Sequence, residues 1–242
     1  VLHARCGCGA HGLAALRSYA QTVAFLDANP RALRFARFGA HLNGLADKAT
    51  FVRGDLGGAA LPVGLAGRKF NAVVASLPFV PNPATAVTTG GISFAGSGDG
   101  EQALAALLRA GARSLLVPGG HLVAAAMVPN AGELAQRVAN WADEGASVAN
   151  FQAAIFRGTP TKAARFARLT TDRCSPVCAT VYSRAMQDNG LRSVSEVLIL
   201  LQATPEGRPA PVRALRVEAR SEQAELWKRK GQLAADVSAA LE

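Results

Sequence analysis

Three glycines, Gly7, Gly9 and Gly12, lie within the first twelve residues of the chain. Glycine has no side chain, so the backbone N–H groups of such a run can approach a bound ligand closely. Asp27 follows Gly7 by twenty residues and ends the next apolar run. In nucleotide-binding α/β proteins an acid at this point accepts hydrogen bonds from ribose hydroxyls. The glycines and Asp27 together favour a cofactor that contains adenosine.

These residues lie at the ends of predicted strands in a repeating strand–helix pattern. The predicted strands are Val1–Ala4, Thr22–Asp27, Ala49–Arg53, Ala72–Ser76, Ser114–Val117 with His121–Met127, Ser147–Phe156, Val194–Leu201 and Val212–Ala219. The predicted helices are His11–Tyr19, Pro30–Asn43, a helix near Gly100–Gly111, Ala131–Asp143, Ala163–Leu169, Cys178–Asn189 and Ser221–Leu241. This alternation predicts a doubly wound, Rossmann-like α/β fold with a mostly parallel, seven-stranded sheet and helices on both faces.

The same pattern indicates how the chain is organised. Residues 1–203 form one predicted domain, and a turn with proline and glycine at Thr204–Pro211 follows it. We expect residues 204–242 to add a strand and a helix that pack on the same domain. The segment Thr85–Gly100 is rich in Gly, Ser and Thr and follows a predicted strand end, so it is a candidate active-site loop.

Two later segments make the pattern more specific. Leu26–Gly44 (LDANPRALRFARFGAHLNG) and Phe51–Leu56 (FVRGDL) resemble the segments at the second and third strands of class I S-adenosylmethionine methyltransferases of the small methyltransferase group. That group includes glutamine-amide and rRNA guanine N-methyltransferases, and the resemblance covers about residues 1–130. It implies S-adenosyl-L-methionine as the cofactor, with Asp27 at the ribose and Asp55 at the adenine. The cofactor contacts that it implies are Gly7, Gly9, Asp27, Ala28, Asp55, Leu56 and Ser76.

The segment Ser76-Leu77-Pro78-Phe79 resembles the Asn-Pro-Pro-Tyr loop of the same group. An amide or exocyclic amine is a poor nucleophile, so its N–H groups must be held while its lone pair is aimed at the methyl group. By this resemblance Ser76, Pro78 and Phe79 are the catalytic residues, with the Phe79 ring stacked on the planar acceptor. The implied activity is S-adenosylmethionine-dependent N-methylation of an amide or exocyclic amine of a protein or RNA.

The sequence also departs from the group at both ends of the site. His3 and Arg5 replace a usual acid and a usual glycine, while Ser76 and Leu77 replace the Asn and first Pro of the target loop. If Arg5 has a positive φ, it is strained by about 1 kcal/mol or more, and its bulk could fill the cofactor cleft. The alternative function is therefore a catalytically inactive, methyltransferase-like structural or RNA-binding subunit of a larger assembly, such as an organellar one.

Composition limits the partners and the compartment. The chain has 26 Lys and Arg against 17 Asp and Glu, a formal charge of +9 and a pI near 10.1. This favours contact with rRNA or a large assembly, the other interpretation being a solvated basic surface. Apolar runs are too short to span a membrane, and no targeting segment is visible. We expect an intracellular protein of the cytoplasm or an organelle matrix, without a metal site, because the spacing of its cysteines, Cys6, Cys8, Cys174 and Cys178, is not that of zinc ligands.

Overall fold

The computed structural model describes residues 1–58, 60–77, 101–143, 151–171, 176–203 and 212–215. The strands in these ranges are β1 (Leu2–Ala4), β2 (Val23–Asp27), β3 (Ala49–Arg53), β4 (Phe70–Ser76), β5 (Leu116–Pro129), β6 (Phe151–Arg157), β7 (Thr161–Lys162), β8 (Ser193–Ala203) and β9 (Val212–Leu215). The α-helices are α1 (Ala10–Ser18), α2 (Pro30–Leu42), α3 (Gln102–Ala110), α4 (Leu134–Asp143), α5 (Ala163–Thr171) and α6 (Pro176–Asp188). The predicted loop Thr85–Gly100 and the predicted helix Ser221–Leu241 lie outside the described residues.

The described strands form one sheet in the order β3-β2-β1-β4-β5-β8-β6-β9, with β7 beside β8. Strands β1 to β5 pair in parallel, β8 runs antiparallel to its neighbours β5, β6 and β7, and β9 is parallel to β6. The predicted mostly parallel, Rossmann-like fold is confirmed. In the described residues the sheet has nine strands: the seven predicted for residues 1–203, the strand predicted to begin at Val212, which is β9 beside β6, and the two-residue β7 beside the start of β8, which was not predicted.

Helices cover both faces of the sheet, as alternation along β2 shows. Val23 and Phe25 belong to an apolar cluster with residues of α1 and α2. Ala24 and Leu26, the alternate residues, belong to a second cluster with residues of α3 and α4. Because successive side chains of a strand point to opposite faces, β2 is buried on both sides. The carboxyl ends of β1, β2, β3 and β4 therefore meet at one edge, between helices on either face.

The structure differs from the prediction around β5. The sequence predicted two strand pieces, Ser114–Val117 and His121–Met127, but a π-helical turn occupies Gly111–Leu115 and β5 is continuous after it. The pairing of β5 with β4 shifts register where a bulge occurs. A Cβ atom at Gly120 would lie 2.8 Å from the oxygen of Val117, so the glycine makes this bulge possible.

Candidate cofactor and methyl-transfer site

The predicted site residues lie at the carboxyl edge of the parallel strands. Strands β1 and β4 are adjacent, and Ala4 pairs with Ala75. Arg5 and Ser76 are the residues that follow this pair in the chain. Asp27 is the last residue of β2, and Asp55 follows β3 by two residues. The chain leaves β1 towards β2 on one side and returns to β4 on the other, which is where ligands bind in open α/β sheets.

The turn between β1 and α1 uses a left-handed backbone at three positions. The φ angles are 50° at Arg5, 54° at Gly7 and 88° at Gly9. Gly9 also allows α1 and α2 to approach, because a Cβ atom there would lie 2.9 Å from the Cβ atom of Ala36. At Gly7 an added Cβ would meet nothing within 4 Å. Gly7 is thus required for conformation alone, while Gly9 is required for conformation and space.

The carboxylate of Asp27 is held by backbone donors. The N–H of Gly7 donates to its Oδ2 at 2.8 Å, and the N–H of Asn29 donates to its Oδ1 at 2.9 Å. The exposed Ala28 lies in the turn between Asp27 and Asn29. Each carboxylate oxygen accepts more than one hydrogen bond, so Asp27 retains acceptor capacity for a ribose hydroxyl. The structure therefore brings Gly7, Asp27 and Ala28 together, as predicted from the sequence.

His3 lies beneath this turn and stays neutral. Its side chain is buried, and its Nδ1 atom accepts a hydrogen bond from the N–H of Gly12 at 3.1 Å. Burial, with a smaller contribution from the nearby charge of His11, lowers the pKa of His3 to about 4. A neutral ring at this position supplies an acceptor to the turn without a charge. These contacts of His3 are structural, because they hold the backbone at Gly12.

Arg5 contacts Asp55 across the candidate cofactor cleft. Its guanidinium lies 3.0 Å from the Oδ2 atom of Asp55, and the two side chains are 36% and 46% exposed. Around this pair lies a cleft that is otherwise mostly apolar. The cleft is lined by Ala4, Arg5, Leu26, Gly54, Asp55, Leu56, Leu77, Ala103 and Leu107. Asp55 and Leu56, two of the predicted cofactor contacts, thus line the cleft, but the carboxylate of Asp55 already has a cationic partner.

The target end of the site is described in part. Ser76 ends β4 and is half-buried. The next residue, Leu77, is buried, lines the cleft, and its N–H donates to the oxygen of Ala125 on β5 at 2.9 Å. The backbone that carries Ser76 into the predicted loop is therefore fixed against β5. Pro78 and Phe79, the other predicted catalytic residues, lie outside the described residues.

Solved structures resemble this fold at low sequence identity. The YcgJ protein from Bacillus subtilis matches with a TM-score of 0.50 and 12% identity, over 85% of this chain and 92% of that one. StiE O-MT matches with a TM-score of 0.50 and 12% identity, over 86% and 68%. The chain has a Rossmann-like methyltransferase fold. A geranyl diphosphate C-methyltransferase from Streptomyces coelicolor, solved with Mg²⁺, geranyl diphosphate and S-adenosyl-L-homocysteine, has a TM-score of 0.45 at 12% identity, over 83% and 71%. No protein-family model and no curated protein matches the sequence.

Within the methyltransferase fold, two ion pairs were not foreseen. Arg5 and Asp55 are fifty residues apart, and only the register of the sheet brings them together. Glu101 is buried at the start of α3, where Arg137 of α4 donates to its Oε1 atom at 2.8 Å. That pair fixes α4 against the start of the helix whose Ala103 and Leu107 line the cleft. No spacing or motif in the sequence links these partners.

Metal and membrane features are not seen in the described part of the chain. Within those residues, no group of three His, Cys, Asp or Glu side chains could hold a metal ion. No helix among them is long and apolar enough to cross a lipid bilayer. Cys6 is buried in the turn after β1, where burial and then the charge of Asp27 raise the pKa of its thiol to about 12. The Cys6 thiol is therefore protonated at neutral pH and does not act as a nucleophile.

Proposed function

We propose that this chain is an S-adenosylmethionine-dependent N-methyltransferase that acts on an amide or exocyclic amine of a protein or RNA. The observation that carries the proposal is the Asp27 carboxylate, which two backbone N–H groups fix at the end of β2, directly after Leu26, a residue that lines a mostly apolar cleft. A fixed acceptor beside an apolar cleft suits an adenosine, whose ribose has two donors and whose base is planar and largely apolar.

In this proposal, different residues contact different parts of the cofactor. Asp27 accepts the ribose hydroxyls, and the turn containing Gly7 and Gly9, together with Ala28 after β2, lies against the ribose and the methionine part. Leu56 packs on the adenine, and Asp55 accepts from its amino group once Arg5 has moved away. An exposed ion pair contributes about 0.2–1 kcal/mol, so opening it is a small penalty for a ligand that buries the cleft.

At the target end, this chain's residues position the acceptor. The Ser76 hydroxyl oxygen accepts one N–H of the acceptor nitrogen, Pro78 supplies a second acceptor through its carbonyl, and Phe79 stacks on the planar group. S-adenosylmethionine, when bound, supplies an electrophilic methyl group on a sulfonium. Holding the nitrogen in line with that group raises the rate without a strong base.

Isothermal titration with S-adenosylmethionine tests the proposal first. We expect the wild-type chain to bind it, and Asp27→Asn to bind at least tenfold more weakly, because the amide keeps the shape but loses the charge that orients both hydroxyls. Incubation with methyl-labelled cofactor and separate pools of protein and RNA then identifies the acceptor class. Folded wild-type protein that shows no binding at millimolar cofactor would contradict the proposal.

A second candidate is a methyltransferase-like subunit that has lost the chemistry. The Arg5–Asp55 ion pair favours it, because the same side chains that would contact adenine and the methionine part contact each other. A non-catalytic subunit needs the fold but no open cleft. The titration separates the two: this candidate predicts no cofactor binding by the wild-type chain and none by Arg5→Gly.

A further inference from the structure

Helix α2 presents an exposed face that combines arginine side chains with large apolar ones. We call this face the α2 stripe; it consists of Arg31, Arg34, Phe35, Phe38 and Leu42, which recur at the three- and four-residue spacing of one helix face. Phe35 is 53% exposed, Phe38 61% and Leu42 70%. Single exposed apolar side chains are common on protein surfaces, whereas three along one helix face indicate an interaction site.

The packing of the opposite face of α2 keeps the stripe exposed to solvent. The opposite face of α2 carries Ala36 and Ala40, which are fully buried. Asn29 caps the helix by accepting a hydrogen bond from the N–H of Arg31 at 2.9 Å, and Pro30 begins the first turn. With its inner face packed and its start capped, α2 cannot rotate to bury Phe35 and Phe38.

The charged side chains of this surface are predominantly positive. Neither α1 nor α2 contains an Asp or Glu, while they contain Arg17, Arg31, Arg34 and Arg37. Arg37 lies over the Phe51 ring at 5.0 Å, and Arg31 lies over the Phe35 ring at 5.7 Å. The exposed Asp47 that follows α2 is balanced by the adjacent Lys48. The stripe therefore combines positive charge with exposed aromatic rings.

We propose that the α2 stripe binds single-stranded RNA. Bases stack on exposed aromatic rings and on arginine planes, and arginines contact the phosphates between them, so both components of the stripe are used. A lipid surface fits less well, because an interfacial helix keeps its cations apart from its apolar face. A protein partner gives no reason for the absence of acidic residues on both helices. The formal charge of +9 attracts a polyanion to the chain as a whole.

Binding at the stripe is separable from methyl transfer. The stripe residues do not line the cleft that contains Arg5 and Asp55. If the proposed methyltransferase activity fails while RNA binding succeeds, the stripe proposal stands. In an active enzyme the stripe would hold an RNA whose bases reach the site from α2, which begins three residues after Asp27.

Fluorescence anisotropy with a labelled oligouridine of about 12 nucleotides tests this proposal at salt concentrations from about 50 to 200 mM. We expect Phe35→Ala/Phe38→Ala to weaken binding at least tenfold without changing the salt slope, because it removes stacking and no charge. We expect Arg31→Gln/Arg34→Gln to weaken binding and to reduce the slope of log Kd against log salt by about 1.4, since two phosphate contacts are lost.

Matched control variants test whether these effects are specific to the stripe. Arg165→Gln/Arg168→Gln removes two exposed charges from α5, and Val63→Ala shortens an apolar side chain that is 93% exposed. Both should change Kd less than twofold, and thermal melting should show all variants folded. The proposal is overturned if the wild-type chain does not bind oligouridine at low salt, or if the α5 charges matter as much as those of the stripe. Binding to anionic vesicles or self-association that requires Phe35 and Phe38, without RNA binding, would also overturn it.

Discussion

Asp27 and Asp55 follow neighbouring parallel strands at the same edge of the sheet, yet they are held in different ways. Asp27 accepts from two backbone N–H groups, which cannot move without unfolding the turn. Asp55 is bound by the side chain of Arg5, in a pair whose members are both more than a third exposed, and accepts one longer bond, of 3.4 Å, from the N–H of Gly57. Both carboxylates keep acceptor capacity, but the donors to Asp27 are fixed backbone groups, whereas the Arg5 side chain at Asp55 can move away. The proposed site is therefore preformed at the end of β2 and covered by a side chain after β3.

The largest effect on stability is expected at His3, which lies beneath the turn that holds Asp27. Its pKa is lowered to about 4 in the folded chain and is near 6.5 in the unfolded chain, so only the unfolded chain takes up this proton between these values. The free energy of unfolding should therefore fall by about 3 kcal/mol as the pH decreases from 6.5 to 4, and stay unaffected by this group above 6.5. Urea unfolding as a function of pH measures it.

His3→Asn provides the comparison, because its amide oxygen can accept the Gly12 N–H but has no titration in this range. When the pH profile of the free energy of unfolding for His3→Asn is subtracted from that of the wild type, the difference should show the expected loss of stability. A His3→Asn profile parallel to that of the wild type would show that His3 is not held neutral.

Replacing the two acids compares the regions directly. Asp27→Ala should lower the free energy of unfolding by about 2 kcal/mol, because the N–H groups of Gly7 and Asn29 lose a charged acceptor. Asp55→Ala should lower it by less than about 1 kcal/mol, since it removes an exposed ion pair. Urea unfolding at neutral pH gives both values. Equal losses would mean that the two acids are held alike.

A further stability difference, smaller than those at His3 and Asp27, is expected at Arg5. Its φ of 50° is unfavourable for a residue with a side chain, so Arg5→Gly should be more stable than Arg5→Ala by about 1 kcal/mol. Both variants lose the ion pair, so their difference isolates the backbone strain. The midpoints of urea unfolding, at equal slopes, provide the measurement. If Arg5→Ala were the more stable variant, the turn would not impose this conformation.

The sequence predicted the features that depend on local pattern. The strands that carry Asp27 and Ser76, the helix α2 with its proline start, and the turn of Gly7 and Gly9 are all found where the spacing placed them. These predictions succeed because apolar periodicity and glycine act within a few residues. The prediction at Ser114–Val117 was wrong in detail, since Leu115 is buried at the end of a π-helical turn rather than in a strand.

The features that the sequence did not predict depend on contacts between distant segments. The sequence shows both the unusual Arg5 and the acid Asp55. Their ion pair, however, depends on the register of β1, β2 and β3, which the sequence does not give. The exposure of Phe35 and Phe38 was equally hidden, because the sequence gives the period of a helix but not which of its faces the sheet covers. The inward face is chosen by Ala36 and Ala40, whose small side chains allow α2 to lie close to its neighbours.

The central claim is that Asp55 belongs to a cofactor site that Arg5 masks. Titration calorimetry with S-adenosylmethionine on the wild-type chain, Arg5→Gly, Asp55→Ala and the double variant tests it as a thermodynamic cycle. We predict that Arg5→Gly tightens binding by up to about fivefold when Asp55 is present, because an exposed ion pair no longer has to be opened, and does not tighten it in the Asp55→Ala background. Equal gains in both backgrounds, or no binding by either the folded wild-type chain or the folded Arg5→Gly variant, would contradict the claim.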